Sequence, residues 1–188
     1  MIPDDFARVF KEKMNSNRLW PNDLLMFKKL EQGMNPWWET GRGNIHAGCV
    51  SMAIAPIGII NAGNLAQAYQ DAFCIASINE DGNIRDFAAA SAAGVAAAFS
   101  PGATFESVIE SMFTHSEYLT KRALTLLMEM AHASSDVDDY ARKFYPSSLL
   151  EWSWPQTHWK PDGHFCVSSI EFLPAVWWRP CTPNIVAR

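Results

Sequence analysis

The sequence predicts an all-α protein, and three observations predict it. From Arg85 to Phe99 the chain reads RDFAAASAAGVAAAF, and alanine is the strongest helix former. Phe105, Val108, Ile109, Met112 and Phe113 fall at i, i+3, i+4, i+7 and i+8, which is the spacing of one helix face. No segment alternates apolar and polar positions over the length of a strand with β-branched residues.

The 188 residues, 48% hydrophobic and 19% charged, suit one globular domain with a sizeable core. Asp4 or Asp5 caps a first helix whose Phe6, Val9, Phe10 and Met14 form one stripe, and Asn15 to Asn17 end it. Leu24, Leu25, Phe27 and Leu30 mark a second helix that stops at Gly33. Met34 to Thr40, MNPWWET, is a loop with two tryptophans. The stretch that organises the chain follows, GRGNIHAGCVSMAIAPIGIINAG from Gly41 to Gly63. It reads as a glycine-rich polar loop, a short buried helix, a break at Pro56 and a second short helix, all in the middle of the domain. By its chemistry alone, such a loop either cradles an anion or marks tight packing.

Asn64 and Gln67 form a capping pair ahead of Leu65, Ala68, Tyr69, Ala72 and Phe73. Ile78 to Asn83, INEDGN, is a polar turn. The alanine-rich run is a buried central helix ended by Ser100-Pro101-Gly102, and Thr104 caps the helix after it. Leu119, Ala123, Leu126, Leu127 and Met130 repeat the apolar pattern, and Tyr140 to Phe144 form a short helix behind a capping cluster at Ser134 to Asp136. Ser147 to His164 is an aromatic loop with Trp152, Trp154 and Trp159. Ser168 and Glu171 then open a capped helix that Pro174 cuts short. The helical domain therefore spans 1–176, and 177–188 is an irregular tail. A helix stopped so soon is expected where a chain ends before its fold does.

Composition excludes several classes of partner. The net charge is −5 and basic residues do not cluster, so neither nucleic acid nor a membrane surface is expected. The longest apolar stretch, Ala47 to Ala62, contains Pro56 and Asn61 and falls short of the roughly 18 residues of a spanning helix. Asp4 and Asp5 stand where a signal peptide would carry basic residues. Cys49, Cys74, Cys166 and Cys181 form no CxxC pair, which is neither a zinc pattern nor a disulfide framework. A cytoplasmic location is expected.

Few side chains suggest chemistry by themselves. His115 and His132 stand at helix ends, where a histidine serves the helix dipole. His46 alone lies in a plausible site. Trp37 and Trp38 either stack on a base or dock on the core, and Glu39 reads as a solvated loop carboxylate. Glu80 and Asp81 lack a partner that would set them apart as acid and base, so a paired-carboxylate glycosidase is not supported.

The stretch GRGNIHAGCVSMAIAPIGIINAGN, the capped helix, polar turn and alanine-rich helix after it, and SPGATFESVIESM together resemble the ADP-ribosylglycohydrolase family, the relatives of dinitrogenase reductase-activating glycohydrolase. The later SSIEFLPA resembles the segment before that family's last metal motif, so the resemblance runs from about Asp5 to Ala175. It implies an all-α enzyme that uses two magnesium or manganese ions to cleave the glycosidic bond between ADP-ribose and its acceptor. It also implies that Ala47, Gly48, Cys49, Val50, Ser51 and Met52 receive the diphosphate and ribose through backbone amides, with His46 just ahead. Met52 keeps the family's methionine, whereas Ala53 replaces its arginine and Gly48-Cys49 replace an Asn-Gly pair. Ile78-Asn79 stand near the place of a Thr-His motif, from which no residue is carried over.

The metal motifs of that family, Thr-Asp-Asp-Thr near the start and Asp-x-Asp-Thr near the end, are missing here. Asp4-Asp5 and Asp136, Asp138 and Asp139 read as helix caps instead. The resemblance thus implies a hydrolase by ancestry, in a chain lacking both ligand-bearing ends and inactive alone. No metal ion is expected to bind this chain. The alternative is a non-catalytic ADP-ribose-binding remnant or a non-functional truncated product. Apolar faces left open by missing helices predict self-association.

Overall fold

The alanine-rich segment forms α6, Asn83–Ala98, and the other helices are arranged around it. The computed structural model describes residues 2–44 and 48–144. Ahead of α6 come α1 (Pro3–Lys13), α2 (Pro21–Glu31), α3 (Cys49–Ala53), α4 (Ala55–Ile60) and α5 (Leu65–Ala76). Behind it come α7 (Phe105–His115), α8 (Tyr118–His132) and α9 (Val137–Phe144), and a 3-10 turn at Ser16–Arg18 joins α1 to α2. No strand occurs among the described residues. The chain is all-α.

Small side chains let α6 serve two cores at once. Ala88, Ala89 and Ala92 meet Ile54, Ile57, Ala72 and Ile75 in a core shared with α1 to α5. Phe87 and Ala90 meet Met112, Leu124, Leu127 and Tyr140 in a second core shared with α7 to α9. At Gly58, α4 comes close to α6. A Cβ there would lie 2.6 Å from the carbonyl oxygen of Ala92 and 2.6 Å from Cβ of Val95. Helices separated by so little need a residue with no side chain at the crossing.

Caps and stripes hold in some helices and move in others. Thr104 and Ser107 close a reciprocal capping box on α7. Asn64 caps α5 by accepting the amide of Gln67 at 3.2 Å, although the Gln67 side chain turns to Asp71 instead of completing a box. On α1, Pro3 opens the helix behind Ile2, and Asp4 and Asp5 fall in its first turn rather than at the cap. Proline at this position needs no amide partner and has a helical φ. The buried face of α1 is Pro3, Ala7 and Phe10, which leaves Val9 and Met14 exposed. On α2, Asn22 and Met26 take the inward positions expected of Leu24 and Leu25.

Two larger corrections bear on function. First, α3 and α4 bury one face only, through Val50, Ile54, Ile57 and Gly58. Met52 is 66% exposed and Ile60 67%, so this stretch lines the edge of the domain and not its middle. Pro56 lies in the first turn of α4 and starts that helix, the break falling at Ile54. Second, the polar turn before α6 is buried: Ile78, Asn79 and Glu80 are all shielded from water. The tryptophan-rich segment, the Ser168–Glu171 box and the tail lie outside the described residues.

Candidate functional site

Thr40 to Asn44 lead the chain to Gly48, and a lysine from α2 holds them. Lys29 Nζ donates to the carbonyl oxygens of Thr40 at 3.1 Å and Arg42 at 2.7 Å, and to Oδ1 of Asn44 at 2.5 Å. Partial burial draws its ammonium below the ordinary lysine value. Asn44 is itself buried and donates through Nδ2 to the carbonyl oxygen of Asn79 at 2.8 Å. Asn79 then ties this loop to α2, accepting from Asn22 Nδ2 at 2.7 Å and donating to Asp23 Oδ1 at 2.6 Å. Burial raises the carboxyl of Asp23 above its usual range, and the Asn79 hydrogen bond opposes that rise. Gly41 presses so near the turn that a Cβ would lie 2.3 Å from the Ser77 carbonyl oxygen and 2.6 Å from that of Glu80.

Gly48 follows with φ 62° and ψ 14° and serves as the N-cap of α3. Its carbonyl oxygen accepts the amides of Ser51 at 3.1 Å and Met52 at 3.3 Å. Those two amides thus close the first turn of α3. Gly48 and Val50 are buried, Cys49 and Ser51 half-buried, and the Met52 side chain lies at the surface. The Ser51 hydroxyl oxygen is shielded from water and has no hydrogen-bond partner among the described residues, a condition that protein interiors rarely tolerate without a reason. His46 and Ala47 lie outside the described residues.

The remaining candidates are engaged elsewhere. Trp37 Nε1 donates to Asp4 Oδ2 at 2.6 Å, docking the loop on the first turn of α1, while Trp38 is 62% exposed. Glu39 folds back onto the Asn35 amide at 2.6 Å. Glu80 is 1% exposed, whereas Asp81 caps the amide of Gly82 and faces Arg85. These neighbours therefore sit in different surroundings and do not face one another as an acid–base pair. His115 and His132 end α7 and α8, and His115 Nδ1 lies 2.9 Å from the Ser111 carbonyl oxygen.

Among the described residues the acidic side chains do not assemble a ligand set for magnesium or manganese. Asp136 Oδ1 accepts the Asp139 amide at 2.8 Å, and Asp139 Oδ2 takes the Ser135 amide at 3.0 Å and Lys143 at 2.7 Å. Among the described residues no group of three or more His, Cys, Asp or Glu gathers in one place. Hard oxygen donors from several side chains are what such ions require, so these residues do not fit a two-metal centre.

Sequence reasoning found the glycine-rich segment and missed the residues that hold it. The INEDGN turn carried no signal of this, since it is Asn22 and Asp23 of α2 that meet Asn79 there. Lys29 carried none, because a lysine in the last turn of a helix is ordinary.

Comparison with known proteins bears on the whole of this arrangement. No curated protein and no solved structure matches the chain, and no helix among the described residues is long and apolar enough to cross a membrane. The ADP-ribosylglycohydrolase family model matches residues 2–178. That span takes in the Lys29 clamp, Gly48 and all nine helices set out above. This all-α chain belongs to the ADP-ribosylglycohydrolase family.

Proposed function

We propose that this chain binds ADP-ribose, free or on an ADP-ribosylated substrate, at the segment that runs from His46 through Gly48 and Cys49 to Met52. The family match carries this reading. It is supported by the left-handed Gly48, by the shielded and unpartnered Ser51 hydroxyl and by small side chains that let a diphosphate reach backbone amides. Hydrolysis of an N- or O-glycosidic bond is the family's chemistry, and two magnesium or manganese ions would supply it with a polarised oxygen and an activated water. Because Asp136 and Asp139 are engaged in capping and an ion pair and no metal-ligand cluster gathers among the described residues, binding without turnover is the activity we assign to these residues. A cytoplasmic setting belongs to the same proposal, as does self-association through exposed Met52, Ile60 and Phe99.

A thermal melt of the purified chain with and without ADP-ribose, each with and without magnesium or manganese, tests the reading. Ligand at a hundredfold excess over its dissociation constant stabilises the folded state by about 2.7 kcal/mol. A shift with ADP-ribose alone is expected. A shift that needs metal as well would replace binding alone with a metal-dependent hydrolase, and a melt indifferent to ADP-ribose would refute the proposal. Size-exclusion chromatography of the same sample reads self-association, for which a species larger than the monomer is expected.

A further inference from the structure

A lysine in the last turn of a helix ordinarily points into water and interacts with the helix dipole. Lys29 does something else. An ammonium has three donors and no acceptor, and the three oxygens that surround this one all belong to residues 40–44. The opposite side of the same five residues rests on the α5–α6 turn, through Asn44 on the Asn79 carbonyl and Gly41 on the carbonyls of Ser77 and Glu80. This loop is therefore gripped between α2 and the turn, four positions in sequence ahead of the left-handed Gly48. Without the ammonium, the Thr40 and Arg42 carbonyls and Asn44 Oδ1 would face one another with no donor between them. Such acceptors repel, and the loop would open to let water in.

We infer that Lys29 is a positioning residue: it holds residues 40–44 so that Gly48–Met52 stay in one conformation for an ADP-ribose diphosphate. The ligand half of this inference rests on the ADP-ribose reading above, and the loop half does not. Preorganisation of this kind improves affinity by removing the cost of ordering the loop at the moment of binding.

Lys29→Met keeps the aliphatic stem and removes the ammonium. Amide hydrogen exchange without ligand is the first readout, since it reports local opening segment by segment. Exchange at residues 40–52 is expected to rise about tenfold in the variant, a difference of about 1.4 kcal/mol in opening, while α6 to α8 stay unchanged. The second readout is ADP-ribose affinity by calorimetry, expected to weaken by about the same factor. In Lys29→Ala, added propylammonium should restore both loop protection and affinity, which a merely structural loss would not allow. Unchanged exchange at 40–52 overturns the inference, and so does an equal rise throughout α6. If the loop loosens while the wild-type chain binds no ADP-ribose, the positioning role stands and the ligand reading falls. If the wild-type chain binds and the loosened variant binds equally well, the link between loop and ligand is refuted.

Discussion

The hydroxyl of Tyr69 on α5 donates to Oδ1 of Asp86 on α6. The Asp86 side chain is only 2% exposed, and its two oxygens also receive the backbone amide of Glu117, at 3.2 and 3.0 Å. One carboxylate thus fastens the head of α8 to α5 and α6. Burial, helped by the hydrogen bond to Asp86 and the charges of Asp86 and Glu117, raises the Tyr69 phenol far above its usual value.

Removing either partner should therefore weaken the fold, and by different amounts. Tyr69→Phe loses one hydrogen bond to a charged group, about 1.5–3 kcal/mol. Asp86→Ala loses both donors' partner and leaves the Glu117 amide without its acceptor, so a larger loss is expected. Urea denaturation of the two single variants and the double variant gives the coupling energy. The double variant is expected to lose about 0.5–3 kcal/mol less than the sum of the single losses, as for groups in contact, and additive losses would show that the pair does not act as a unit.

Gly58 poses a contest between two terms of opposite sign. Alanine at a helical glycine gains about 1 kcal/mol of helix propensity. The new Cβ, however, would stand 2.6 Å from the Ala92 carbonyl oxygen and from the Val95 Cβ, a backbone atom and a branched carbon that cannot swing aside. Overpacking of this kind typically costs 1–3 kcal/mol. Gly58→Ala is expected to be destabilised by about 1–2 kcal/mol in thermal or urea melts, with α4 pushed away from α6. A variant as stable as the wild type would mean that α4 is free to shift.

The same residues show what a sequence can and cannot say about this fold. The helix over Phe105–His115 was legible because its apolar spacing and its Thr104 cap are local facts. So was α6, whose alanines dictate both helix and burial. Exposure of Met52, Ile59 and Ile60 was not legible, because an apolar run without polar residues at intervals does not reveal which face is outward. The sequence of Ile78–Asn83 marks a polar turn but not the burial of Ile78, Asn79 and Glu80. That burial depends on Asn22 and Asp23, 57 and 56 positions away from Asn79, and pairing at that distance leaves no periodic trace. The glycine-rich segment was visible from its composition, whereas Lys29 acts on it from 11 to 15 positions earlier and from another helix.

Acid should loosen α9 through two aspartates held below their usual values. The Asp139 amide and then Ser135 lower Asp136, and Lys143 and then the Ser135 amide lower Asp139. Between the folded value and the ordinary 3.8, the unfolded chain binds more protons than the folded one, so stability falls as pH falls. The contribution is complete above the ordinary aspartate value and gone below the folded value. Asp23, raised by burial, works the other way over the range just above 3.8, so the total acid response mixes both signs and a single-site comparison is needed. Asp139→Asn removes the charge that faces Lys143 and fixes the group in one state at every pH. At pH 6 the variant should unfold at lower urea than the wild type, and α9 should be digested faster by protease. The gap should narrow as the pH falls below the ordinary aspartate value. A gap that stays constant from pH 6 to pH 2 would show that Asp139 supports α9 by shape or amide capping and not by its charge.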